Sequence, residues 1–282
     1  MAFSLNALIP KFMRSDAVTI PVLRLSGTIG VAAPLRAGLT LAGLEAPLQR
    51  AFGIKDAPAV GIIINSPGGA AVQSHQIYQR IRQLAEEKGK HVIVAVEDVA
   101  ASGGYMIAVA GDEIIVDESS IVGSIGVVSA GFGFPKLIEK LGIERRVHTA
   151  GEKKVMLDPF RPEQPDDVRH LEALQHDVHT SFIALVKSRR RAALADDPDL
   201  FTGAFWSGSK AVALGLADRV GELREVLKER YGADVRIKAI ATERSMWRRR
   251  FCRLGGDRGA IPMIDGIVTA IEERLLWNRF GL

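Results

Sequence analysis

The fold is decided by two stretches of sequence: residues 60–69, VGIIINSPGG, and residues 91–105, HVIVAVEDVAASGGY. Each begins as a continuous run of apolar, mostly β-branched residues, which is typical of a strand buried on both faces of a parallel sheet. Each then reaches a pair of glycines that ends the regular structure. Ile77, Ile81 and Leu84 follow the first pair at helical spacing, and a short apolar helix is predicted after the second. The order strand, glycine turn, helix therefore occurs twice.

Strands and helices also alternate outside these two stretches. Short apolar runs predict strands, and apolar residues three and four positions apart predict helices. The predicted strands are Thr19–Leu25 and Ile114–Val116, and the predicted helices are Thr40–Phe52, Val168–Leu185 and Ser207–Leu214. Such alternation indicates an α/β protein with a mainly parallel sheet and flanking helices.

The composition excludes several classes of protein. The 282 residues are 47% hydrophobic and 25% charged, values typical of a folded globular chain rather than a disordered or fibrous one. Cys252 is the only cysteine, which excludes an internal disulfide and a thiolate zinc site. The net charge of +4 is too small to indicate a nucleic-acid partner. We expect no cofactor, no metal and no nucleic acid.

Three regions are predicted along the chain: an N-terminal amphipathic segment over 1–18, one main domain over 19–240 and a basic C-terminal tail over 241–282. No stretch approaches the ~18 apolar residues of a membrane-spanning helix, and no basic region precedes the first apolar residues as in a signal peptide. The sequence therefore predicts a cytoplasmic protein, with a peripheral contact at the inner membrane as the alternative.

The tail suggests where such a contact would lie. Five arginines occur between Arg244 and Arg253, with Trp247 and Phe251 among them. Clustered arginines with interleaved aromatic residues can bind anionic lipid headgroups. A solvated helix is the simpler interpretation of the same pattern.

The two glycine turns suggest a catalytic site. Both follow strands of one parallel sheet, so they can face each other at the carboxyl ends of those strands. Ser102 lies between a strand and a helix with only small neighbours, a good position for a nucleophile. The backbone N–H of Gly103 and one from Gly68 or Gly69 could stabilise the oxyanion of a tetrahedral intermediate. Taken singly, a serine before a helix is commonly a cap and a glycine pair commonly a turn.

At these residues the sequence resembles the signal peptide peptidase A (SppA) family of serine peptidases, including its shorter SohB-like members. The motifs that carry it are residues 65–69, 100–105, 122–127 and 206–221, in that order along the chain, and the resemblance covers residues 22–231. It implies a ClpP/crotonase-like spiral of βαβ units and peptide hydrolysis by a Ser–Lys dyad with Ser102 as nucleophile. It also implies short, unfolded or signal-peptide-like substrates, and a homo-oligomer in which serine and lysine meet across a subunit boundary.

A second residue must take the proton of the Ser102 hydroxyl. No histidine lies between Ser102 and His148, so a lysine is the natural substitute. The family places it in a Gly-x-x-Lys segment before a proline, which assigns the role to Lys154, with Lys153 as the alternative in a shifted register. A lysine acts as a base near neutral pH only when burial lowers its pKa from about 10.4, and Val155, Met156 and Leu157 are expected to supply the apolar surroundings. The resemblance also assigns Ser124 to orient the lysine amine.

Two other functions are compatible with this fold. A crotonase-type acyl-CoA hydratase or isomerase would commonly use carboxylates, and none follows the second glycine turn at the required place. A non-catalytic membrane scaffold would not need Ser102, Lys154 and Ser124 together. Glu97 and Asp98 have no histidine to orient and are interpreted as loop charges.

Overall fold

The computed structural model describes residues 17–30, 32–33, 36–242, 274–275 and 277–278. Almost all of the predicted N-terminal segment and most of the basic tail lie outside the described residues, and so does the predicted lipid contact of the tail. No helix in the described part of the chain combines the length and the apolarity needed to cross a membrane.

Strands and helices alternate along most of the described chain. They are β1 (Thr19–Ser26), β2 (Ala32–Ala33), β3 (Arg36–Ala37), α1 (Leu41–Phe52), β4 (Ala59–Ser66), α2 (Ala71–Lys88), β5 (His91–Ala101), α3 (Gly103–Ala108), β6 (Glu113–Val116), β7 (Ile121–Gly123), α4 (Pro135–Lys140), α5 (Pro165–Arg190), β8 (Phe205–Ser207), α6 (Gly208–Ala213), β9 (Arg219–Val220), α7 (Leu223–Tyr231) and β10 (Arg236–Ile240).

Eight of these strands form one sheet. Its order is β10-β1-β4-β5-β6-β9, with β7 paired to β5 and β8 paired to β7. Every pair is parallel except β7 with β8. Neighbouring parallel strands need a crossover connection, and α2 provides one between β4 and β5. The predicted α/β class with a mainly parallel sheet is confirmed.

Both faces of the sheet are covered, as the continuous apolar strands require. In β1, Ile20 and Val22 face one hydrophobic cluster, while Leu23 and Leu25 face the other. The larger cluster takes side chains from α1, α2, α3 and α5, and the smaller one takes them from α7. Covered faces explain why the strands have no alternation of polar and apolar residues.

The sequence predicts that β5 ends at Val96, before the charged pair Glu97-Asp98, but the strand continues through that pair to Ala101. The strand pairs with β6 through residues 93–95 and with β7 through residues 99–101. Along β4, the register shifts between Ile64 and Ser66, so that β5 carries two extra residues there. Such a bulge bends the strand. The bend carries the end of β5 away from β6 and onto β7, with Ser102 directly after it.

Candidate active site

Ser102 occupies a strained turn between β5 and α3. Its φ is 52° and its ψ is −121°, a conformation that costs a residue with a side chain ~1–3 kcal/mol. The backbone stabilises it, because the Ser102 N–H donates to Gly123 O at 2.8 Å and Ser102 O accepts from Met106 N at 2.9 Å. Among the described residues the hydroxyl makes no hydrogen bond. A nucleophile requires such an arrangement: a half-buried hydroxyl on a strained strand-to-helix turn, with no hydrogen bond to another described residue.

The two glycine turns are in contact. A Cβ atom added to Gly68 would lie 2.9 Å from both Ser102 Cβ and Gly103 N, so a larger residue would separate the turns. Gly68 and Gly69 have φ of 106° and 143°, which favours glycine. The Gly68 N–H donates to Ser66 Oγ at 3.2 Å. In the described part of the chain the N–H groups of Gly69 and Gly103 have no acceptor, so these two remain available for an oxyanion.

Ser124 lies in a buried turn directly after β7. Ser124 is 3% exposed, and its φ of 52°, like that of Ser102, is unfavourable for a non-glycine residue. Its N–H donates to Ala204 O at 2.6 Å. On the other side, His179 Nε2 lies 3.0 Å from Ile125 O, so α5 anchors the turn. The sequence predicts only a polar helix face at His179, because a partner 54 residues away leaves no local pattern.

Lys154 is exposed, and so is Lys153. The Lys154 N–H donates to Gly151 O at 3.3 Å, while its amine makes no hydrogen bond or ion pair to any described residue. Val155, Met156 and Leu157 are half-buried but do not cover it. The burial expected for a lysine base is therefore not provided within the described part of one chain, and the structure gives Lys154 no hydrogen bond to Ser102 or Ser124.

The segment that carries Lys154 is fixed by a buried carboxylate. The Asp158 side chain, 1% exposed, accepts from Arg145 Nε at 2.8 Å and from Phe160 N at 3.1 Å. The Arg145 guanidinium also lies 4.9 Å from the centre of the Phe160 ring. The hydrogen bond from Arg145 holds the pKa of Asp158 below its usual range. These contacts connect both ends of the stretch that includes Lys154.

We expect Asp158→Asn to loosen this segment without unfolding the domain. Amide hydrogen exchange over residues 144–161 should become faster, because the neutral amide no longer pairs with Arg145. Since the pKa of Asp158 is lowered by folding, its contribution is complete above about pH 4 and is lost as the pH falls through the lowered pKa. The parent should therefore approach the exchange of the variant in acid.

Glu144→Gln is the matched control, because Glu144 forms an exposed ion pair with Arg146 in the same segment. It should leave the exchange unchanged. Equal exchange in Asp158→Asn and the parent at neutral pH would show that the carboxylate does not order the segment.

A sequence profile of peptidase family S49 matches residues 84–235, more than half of the chain. The chain belongs to peptidase family S49. The matched region includes Ser102, Ser124 and Lys154. The resemblance to SppA and SohB is thereby confirmed at the level of the family.

The relatives of this S49 chain differ in length. A Brucella abortus protein named as the Na⁺/H⁺ antiporter NhaA is 52% identical over 286 residues, covering 99% of this chain and 39% of that protein. The chloroplastic serine protease SPPA of Arabidopsis thaliana is 31% identical, covering 74% of this chain and 31% of that one. The chain thus spans well under half of the length of these two relatives.

A solved structure shows the same fold. It is a variant of the membrane-bound stomatin-specific protease 1510-N in complex with a substrate peptide. It is 17% identical with a TM-score of 0.52, and covers 85% of this chain and 100% of that one.

Among the described residues of the S49 chain, no group of three or more His, Cys, Asp and Glu side chains could hold a metal ion.

Proposed function

We propose that this chain is a serine endopeptidase that hydrolyses peptide bonds with a dyad of Ser102 and Lys154. The observation that carries the proposal is the turn at Ser102, whose free hydroxyl lies beside a glycine turn with an unpaired N–H. Membership of peptidase family S49 supports the same chemistry.

In the proposed reaction, Ser102 Oγ attacks the carbonyl carbon of the scissile bond and its proton passes to Lys154 Nζ. The carbonyl electron pair moves onto the oxygen, which accepts hydrogen bonds from the N–H groups of Gly69 and Gly103. Collapse of the intermediate breaks the C–N bond, and Lys154 returns the proton to the leaving amine. Water then attacks the acyl-enzyme by the same route, releasing the acid and restoring Ser102. Gly68 shapes the turn, since its own N–H already donates to Ser66 Oγ.

We further propose that the active form is a homo-oligomer in which Lys154 of one copy meets Ser102 of its neighbour. Its support is the surface before Lys154, where apolar side chains face solvent. Phe132 is 79% exposed, Leu141 63% and Leu137 51%. Apolar groups clustered in one exposed segment mark an interaction surface. A second copy packed there would also shield the lysine amine from water, which its role as a base requires.

The substrates proposed for this site are short or unfolded peptides, including signal-peptide-like segments. Hydrolysis requires an extended backbone to lie against the two glycine turns, with its scissile carbonyl beside Ser102, and a folded protein does not offer one there. The 1510-N protease of the same fold has been solved with a substrate peptide, which supports a peptide ligand for this chain.

Labelling with a fluorophosphonate tests the nucleophile directly. The probe phosphonylates an activated serine hydroxyl, and peptide mapping identifies the residue that carries it. We expect one labelled serine, Ser102, and a rate that falls when an unfolded protein substrate competes. Labelling elsewhere, or no labelling of a preparation that cleaves peptides, would overturn the assignment.

A further inference from the structure

One side chain connects the two glycine turns. Asn65 is the last residue but one of β4, directly before the turn that carries Gly68 and Gly69, and it is 7% exposed. Its Oδ1 accepts from Val99 N at 3.3 Å, and its Nδ2 donates to Asp98 Oδ2 at 2.6 Å. Both partners belong to the bulged part of β5 that leads into Ser102.

The bulge is also held from the opposite side. Ser120, 1% exposed, donates from its hydroxyl to Glu97 O at 2.6 Å. The Glu97 side chain forms an ion pair with Arg24 at 2.6 Å, with the arginine largely exposed. The interpretation of Glu97 and Asp98 as loop charges is therefore wrong. Both are residues of β5 whose side chains are paired.

The bonds of Asn65 fix where the strand resumes after the bulge. Beyond it, Ser66 pairs with Ala100, and residues 99–101 then pair with β7. A slip by one residue would reverse which side of the strand each of these residues faces. It would also move Ser102 relative to Gly69, whose N–H is a proposed oxyanion donor. A shift of ~1 Å in such a site can cost about a hundredfold in rate.

We propose that Asn65 is a positioning residue that holds the Ser102 hydroxyl beside the oxyanion donors. It does so by fixing the bulge of β5 through its hydrogen bonds to Val99 and Asp98, which we call the Asn65 clamp. The inference rests on the proposed peptidase function. Asparagine suits the position because one planar amide supplies both the acceptor for Val99 N and the donor for Asp98. Aspartate would retain the acceptor but place a second carboxylate against Asp98.

Exchanging the two side chains tests the clamp. Asn65→Asp should lower kcat and the rate of fluorophosphonate labelling by at least about tenfold, with a much smaller change in KM, because the loss lies in positioning. Asp98→Asn should stay within about twofold of the parent, since the oxygen of the introduced amide can still accept from Asn65. The double variant Asn65→Asp/Asp98→Asn reverses the polarity of the bond and should recover most of the labelling rate. Recovery would show that the bond between positions 65 and 98, rather than either side chain alone, sets the rate. Thermal unfolding of Asn65→Asp at the parental temperature would separate this loss of positioning from a loss of folding.

Glu97→Gln is the matched control and should label like the parent. It weakens only a solvent-exposed ion pair with Arg24, which contributes little, and it leaves the Asn65 clamp and the bond from Ser120 to Glu97 O intact. Thermal unfolding of each variant shows whether it folds. If Asn65→Asp does not fold, Asp98→Ala takes its place, because it removes the same bond by truncating an exposed side chain, and it should slow labelling several-fold. Labelling of Asn65→Asp at the parental rate, or no recovery in the folded double variant, would overturn the proposal. A parent not labelled at Ser102 would overturn the proposed function itself, which is a distinguishable result.

Discussion

The Ser102→Ala variant is expected to lose at least about a thousandfold in kcat on an unfolded protein substrate, because no other group in the site replaces the attacking oxygen. Its thermal unfolding should match that of the parent. The hydroxyl makes no hydrogen bond among the described residues, and alanine retains the same backbone turn. Cleavage followed by gel electrophoresis, together with differential scanning calorimetry, measures both quantities.

Ser119→Ala provides the control, since Ser119 is an exposed serine in the turn between β6 and β7. It should cleave and unfold like the parent. If purified Ser102→Ala degrades the substrate as fast as the parent, Ser102 is not the nucleophile, whatever the geometry of its turn.

Loss of Lys154 is expected to be as damaging as loss of Ser102. Without the amine no group takes the serine proton, so Lys154→Ala should lower kcat by a similar factor. The double variant with Ser102→Ala should be no worse than either single one, because members of one catalytic unit are not additive. Steady-state rates of the three variants decide this.

Lys153→Ala is the neighbouring control and should keep most of the activity, although both lysines are exposed in the structure. Equal rates for Lys154→Ala and the parent would reject this base. Co-expression of the Ser102→Ala and Lys154→Ala chains adds a test of the shared dyad: the mixture should regain activity that neither variant has alone. An inactive mixed assembly would place both groups in one chain.

The main features of the sheet were predictable from sequence because they depend on local patterns. Apolar β-branched runs predict the central strands β4 and β5, and the glycines predict where they end. Gly89, with φ of 59°, closes α2, and a glycine after the last periodic residues is a common sign of a helix end. Buried parallel strands leave a strong signal, because both of their faces must be apolar.

The details of the site were less predictable because they depend on contacts between distant residues. The clamp between Asn65 and Asp98 joins positions 33 residues apart, and from sequence the two acids after the apolar run were interpreted as loop charges. The surroundings of Lys154 were predicted from its apolar neighbours in sequence, yet those neighbours do not bury it. Burial of a loop residue depends on what packs over it from elsewhere.

The change of partner along β5 divides one strand into two parts with different mutational consequences. Substitutions at Ile93 or Val94, which lie in the central sheet, should reduce how much folded protein a cell accumulates. Val99 and Ala101, past the bulge, belong to a separate and much smaller cluster, so substitutions there should leave abundance closer to normal and reduce the turnover of each molecule. In a mutational scan along β5, substitutions before Glu97 should therefore mainly lower protein abundance. Substitutions after Asp98 should mainly lower the catalytic rate.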